Sequence, residues 1–107
     1  MNYKYDFSVV MAVYNAERYL REAIDSVLMQ EYSIDKIQLI LVNDGSKDNS
    51  AVVCKEYLEK YPNNIVFVDK ENGGVSSARN EGLKHVEGEY VNFLDSDDKL
   101  FDNFLTV

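Results

Sequence analysis

Residues 37–62 read IQLILVNDGSKDNSAVVCKEYLEKYP. The first six are a near-continuous apolar run, the pattern of a strand covered on both faces. The octet NDGSKDNS then supplies turn residues followed by capping residues, with Asp48 or Asn49 placed to start a helix that reaches Tyr61. On that helix Val53, Cys54, Tyr57, Leu58 and Tyr61 fall on one stripe. Pro62 ends it, because proline has no N–H to donate and its ring collides with the preceding turn. A doubly covered strand running through a polar loop into an amphipathic helix is half of a βαβ unit.

The same alternation extends in both directions. Upstream, residues 7–13 (FSVVMAV) form a second buried strand, and 15–30 (NAERYLREAIDSVLMQ) repeat Leu20, Ala23, Ile24, Val27 and Leu28 at helical spacing. Asn15 is the expected N-cap, with Glu17 complementing the helix dipole. Downstream, residues 65–68 are a short strand, and the Asn72-Gly73-Gly74 turn precedes a helix over about 76–85, with Gly88 just past its end. Residues 90–94 are a fourth buried strand that runs into an acidic cluster. Strands alternating with helices imply an α/β fold, a Rossmann-like three-layer sandwich with a mostly parallel sheet. The 107 residues suffice for one domain, and no repeat or linker divides them.

Composition narrows the function. A formal net charge of −8 and a pI near 4.5 disfavour nucleic acid as a partner. The single cysteine, Cys54, excludes an internal disulfide framework and fits a reducing, cytoplasmic setting. No apolar run approaches the ~18 residues that span a membrane, and the N-terminus lacks the plan of a signal peptide. An anionic ligand must therefore be met by backbone amides, an isolated arginine or a metal ion.

In open α/β sheets, ligands bind beyond the carboxyl ends of the strands. Four polar loops leave those ends here: YNAE, NDGSKDNS, KENGGVSSARN and LDSDDK. Each taken alone is explained as caps and turns. Together they suggest a site. Asp95 and Asp97, two apart at a turning strand end, can face one cleft, and their oxygens suit Mn2+ or Mg2+. Such ions take one or two protein carboxylates and complete their shell with water and substrate phosphates. A calcium loop is a poor alternative, since DSDDKLFDN lacks the glycine at position six and the bidentate glutamate at twelve of an EF-hand. GxGxxG and GxxxxGK[ST] are both absent, which removes the main support for dinucleotide or P-loop chemistry.

The segments SVVMAVYNAERYLREAIDSVLMQ (8–30), ILVNDGSKDNS (40–50), NGGVSSARNEGL (72–83) and GEYVNFLDSDD (88–98) resemble, in order, those of family 2 glycosyltransferases. These are inverting enzymes of the GT-A fold that use nucleotide sugars. The resemblance implies that Asp95 and Asp97 are the Asp-x-Asp pair, with Asp97 the direct metal ligand and Asp95 nearer the ribose. It places Val13, Tyr14 and Glu17 in the first nucleotide-binding loop. Asp44 would accept a hydrogen bond from the base, and Arg79 would face base or diphosphate. The donor is expected to be a UDP-sugar, and the acceptor a saccharide or lipid-linked molecule in cell-surface polysaccharide synthesis, with the full-length enzyme cytoplasmic or peripheral at the membrane.

The residue chemistry agrees with those roles. Ionised Asp44 only accepts, which suits the imide N–H of uracil or the amino face of guanine. Tyr14 offers an aromatic face, Gly73 and Gly74 permit close backbone approach, and the fork of Arg79 matches phosphate. The plainer role for Arg79 is a salt bridge to Glu81 or Asp95. His85 suits a helix C-terminus, Cys54 a core stripe, and Asp98 and Asp102 a further helix cap. No catalytic base is assigned, because in this family it comes from segments after the Asp-x-Asp strand and the sequence stops ten residues beyond Asp97. The expectation is an N-terminal donor-binding part that binds without turnover. It should self-associate through the open edge of strand 90–94 and through Phe101, Phe104 and Leu105. A non-catalytic binding module and a receiver-like domain are the rival classes. In a receiver the acid pair follows the first strand, where this chain has none.

Overall fold

The computed structural model describes residues 3–30 and 32–96. The order of elements is β1 (Tyr5–Val13), α1 (Glu17–Leu28), a single 3-10 turn (Ile34–Lys36), β2 (Ile37–Asp44), α2 (Ser50–Lys60), β3 (Ile65–Lys70), α3 (Val75–Leu83) and β4 (Gly88–Asp95). The four strands form one sheet in the order β3-β2-β1-β4, and every pairing is parallel. Because α1 and α2 pack on one face of this sheet and α3 on the other, two cores form. Met11, Leu20, Ile24, Leu39, Leu41 and Cys54 belong to the larger; Val10, Ile40, Val42 and Ala78 form the smaller. Successive residues of a strand point to opposite faces, so the central positions of β1 (9–13) and β2 (39–42) are apolar on both sides to serve both cores.

The chain steps outward from β1 to β2 to β3, then crosses back to lay β4 on the far side of β1. The strand order thus reverses direction beside β1, and a crevice lies at the carboxyl ends of the strands. The register aligns those ends: Ala12 pairs with Asp95, Val13 with Asn43, and Asp44 with Lys70.

Three local expectations change. Strand β4 lies at the expected edge, its one partner among the described residues being β1, but it is not buried: Tyr90, Val91 and Phe93 are exposed. Gly88 opens β4 instead of capping α3, because a Cβ there would lie 2.7 Å from the backbone of Phe7 and Ser8. Its amide donates to Ser8 Oγ, whose hydroxyl donates to Gln38 Oε1, a buried polar link between β1, β2 and the last turn. Helix α3 ends at Leu83, and His85 follows in a turn with its backbone oxygen accepting from Gln38. Cys54 is buried, and burial pushes its thiol up to about 12, an inert state.

Candidate functional site

The crevice is an open cleft of about 670 Å³, lined by residues from all four strand ends, among them Ala12, Tyr14, Asp44, Asn72, Gly74 and Asp95. Its first wall is the turn after β1. Asn15 is not the cap of α1: Ala16 holds that position with no side-chain bond of its own, and Asn15 has a left-handed φ of 46°. The capping groups come from the next loop instead. Glu17 N–H donates to Asp48 Oδ2 (3.2 Å) and Ala16 N–H to Ser50 Oγ (3.0 Å). Asn15 N–H donates to Ser46 Oγ, and Asn15 Oδ1 accepts from Lys47 N–H. This holds Tyr14 half-exposed at the cleft. Val13 is wholly buried in the larger core and is not among the residues that line the cleft. Glu17 turns away from the cleft, its carboxylate accepting from the amide and side chain of Asn49.

The second wall is a clasp. Asp44 closes β2, is 3 % exposed, and faces the loop after β3. Its Oδ1 accepts from Gly73 N–H (2.9 Å) and Lys70 Nζ (3.1 Å); its Oδ2 accepts from Gly74 N–H (3.0 Å), with Asn72 Nδ2 at a longer 3.5 Å. Asn72 is anchored by a 2.9 Å bond to the Asp44 carbonyl. Burial by itself would raise the pKa of Asp44. The Gly73 amide, Lys70 and the Gly74 amide outweigh burial and hold the carboxyl below the usual carboxylate range. Gly74 has φ 94°, a conformation glycine adopts without strain, and a side chain there would point into empty space. A ligand can approach that backbone closely.

The third wall is the end of β4. Asp95 and Ser96 line the cleft. Arg79, in the second turn of α3, donates to Asp95 Oδ1 at 3.3 Å and lies over the Phe93 ring at 5.5 Å. Both charged groups keep substantial solvent contact. Asp97, Asp98 and Asp102, as well as Phe101, Phe104 and Leu105, lie outside the described residues. Among the described residues no group of three or more metal-ligating side chains forms. A hard ion needs fewer, and the oxygens of Asp95 and Ser96 at the cleft suit one that also takes phosphate oxygens.

Residues 8–107 match glycosyl transferase family 2. The chain belongs to this family. It is 61 % identical over 97 residues to the minor teichoic acid biosynthesis protein GgaB of Bacillus subtilis, covering 91 % of this chain and 11 % of that protein. Among solved structures, residues 1–349 of S. aureus TarS in complex with UDP align with a TM-score of 0.80 at 33 % identity, over 92 % of this chain and 29 % of that one. The mannosyltransferase PcManGT of Pyrobaculum calidifontis, in complex with GDP-Man and Mn2+, aligns with a TM-score of 0.81 at 27 % identity, again over 92 % and 29 %. The chain thus spans from a tenth to under a third of these relatives, and its four parallel strands and three helices are a portion of their GT-A fold.

Within this family portion, several site residues escaped the sequence reading. Lys70 and Asn72 clasp Asp44, while Asp48 and Ser50 hold the turn after β1. Lys70 could have been found by aligning the ends of β2 and β3, which places it beside Asp44. The bonds from Asp48 and Ser50 join loops about thirty residues apart in sequence, which no local pattern encodes.

Proposed function

We propose that this chain is the donor-binding part of an inverting, metal-dependent glycosyltransferase that takes a UDP-sugar and serves the synthesis of a cell-surface polymer. The observation that carries the reading is the convergence of Tyr14, Asp44, Gly74 and Asp95 on one cleft at the carboxyl ends of parallel strands. In this reading Tyr14 supports the base with its ring. Asp44 Oδ2, whose second partner is only the long contact from Asn72, accepts the base N–H. The open backbone at Gly74 admits the nucleotide. Asp95 lies toward the ribose, and Arg79 exchanges it for diphosphate oxygens as the ligand enters. Mn2+ or Mg2+, held by Asp97 with Asp95 nearby, would neutralise the diphosphate and stabilise it as a leaving group. The general base that inversion requires is assigned to none of these residues.

Calorimetric titration with UDP tests the reading. UDP is expected to bind more tightly with Mn2+ than with EDTA, and more tightly than ADP. Equal affinity with Mn2+ and EDTA would remove the metal, equal affinity for UDP and ADP would remove the base assignment to Asp44, and no binding at all would reject the donor site. Asp97→Asn should abolish most of the Mn2+ effect.

A further inference from the structure

We infer that Asp48 is a positioning residue for donor binding, acting through the turn that carries Tyr14; this rests on the donor-site reading above. Asp48 does not line the cleft. Instead it divides its two oxygens between two helices. Oδ1 accepts from the Ser50 amide (2.9 Å) and the Ser50 hydroxyl (2.6 Å), while Oδ2 accepts from the Glu17 amide (3.2 Å). The Ser50 oxygen accepts in turn from the Ala16 amide, giving a relay from Ala16 N–H through Ser50 to Asp48. Helix α1 has no cap on its own strand of chain, so its first amides depend on this acid.

The dependence matters because of what the turn holds. Asn15 sits at φ 46°, a left-handed conformation that asparagine tolerates better than other residues with a Cβ, and its contacts with Ser46 and Lys47 tie the turn to the loop that carries Asp48. Tyr14, Asn15, Ala16 and Tyr19, all in or beside this turn, line the cleft. Releasing Asp48 frees the Glu17 amide and removes the acceptor for the Ser50 hydroxyl. The start of α1 then loses its hold on the loop after β2, and Tyr14 leaves its place beside the base. Burial would raise the pKa of Asp48, yet the Ser50 and Glu17 donors hold it low, so the acid keeps its charge at the positive end of α1 at neutral pH.

Two variants separate this role from general instability. Asp48→Ala removes all three contacts. Asp48→Ser keeps a short acceptor for the start of α2 and is too short to serve Glu17 as well. Each is examined by amide hydrogen exchange without ligand, and by calorimetry with UDP and Mn2+ in both the wild-type and Tyr14→Ala backgrounds. The Glu17 amide should exchange at least about tenfold faster in Asp48→Ser, the scale of losing one helix cap. UDP should bind roughly five- to tenfold more weakly than to wild type, with no further loss once Tyr14 is already alanine. Unchanged Glu17 exchange, unchanged UDP affinity, or the same fold-loss in both backgrounds would overturn the inference. Failure of the wild-type chain to take UDP would overturn it together with the donor site, whereas unaltered binding by Asp48→Ser beside a competent wild type overturns this role alone.

Discussion

Two acid–base pairs stand at the two flanks of the cleft, at nearly the same separation and in opposite surroundings. Asp44 and Lys70 meet at 3.1 Å with side chains 4 % and 19 % exposed; Asp95 and Arg79 meet at 3.3 Å with side chains 49 % and 40 % exposed. The first pair sits between the neighbouring strands β2 and β3, and two backbone amides join it. The second lies at the edge strand β4, with one hydrogen bond between them. Distance alone therefore does not rank the two. Solvent access and the number of additional donors do, because a buried charge that loses a partner cannot turn to water. The clasped flank arrives preorganised, while the solvent-exposed flank can exchange partners.

The most severe way to break this contrast is Asp44→Ala, which strands two amides and an ammonium. A loss of about 3 kcal/mol is expected, read as a lower urea midpoint at constant m-value. A loss near zero would mean the two flanks are energetically alike. The pH dependence follows from the depressed pKa of Asp44. The unfolded chain takes up the proton first as pH falls, so the stabilisation is complete above the unfolded value of about 3.9 and is lost as pH drops through the folded one. The acid limb of the stability curve should flatten in Asp44→Asn, with Asp48, also depressed, retaining a share.

Gly45→Ala attacks the clasp from its backbone. Gly45 has φ 72°, and an added methyl would sit 2.7 Å from the Asn72 amide nitrogen, so a loss of about 2 kcal/mol is expected in the same denaturation experiment. Lys70→Met should cost about 1 kcal/mol, because the Gly73 and Gly74 amides still satisfy Asp44. Arg79→Ala is the smallest: stability should stay within about 0.5 kcal/mol of wild type. Its effect should surface only as weaker UDP binding, and a stability loss matching that of Asp44→Ala would erase the distinction between the flanks.

The alternation of strands and helices was legible because it is written in local periodicity. The runs 7–13 and 37–42 could be placed from apolar continuity, and the stripe of α2 from helical spacing; all three sit where expected. Pocket-facing residues were partly legible. Tyr14, Asp44 and Asp95 follow the last apolar positions of their strands, and strand ends point at the crevice. Asn15 misled because an asparagine before a helix looks like a cap, whereas here its side chain accepts from the Lys47 amide and its backbone carries the turn. The burial of β4 was misjudged for a related reason: an apolar run reports what a strand could bury, not how many neighbours it has.

By itself, the sequence determined the elements, their order, the parallel sheet they imply, and the family to which the chain belongs. Those follow from preferences that each residue expresses through its immediate neighbours, or from motifs that stay intact when written as a string. Tertiary structure alone decided which carboxylate is clasped and which stays open, that Tyr90, Val91 and Phe93 of β4 are exposed, and that the cap of α1 comes from Asp48. Each of those depends on register between strands or on contacts between loops some thirty residues apart. Such contacts exist only after the sheet has assembled, because it is the pairing of β1, β2 and β3 that brings their carboxyl ends within hydrogen-bonding reach.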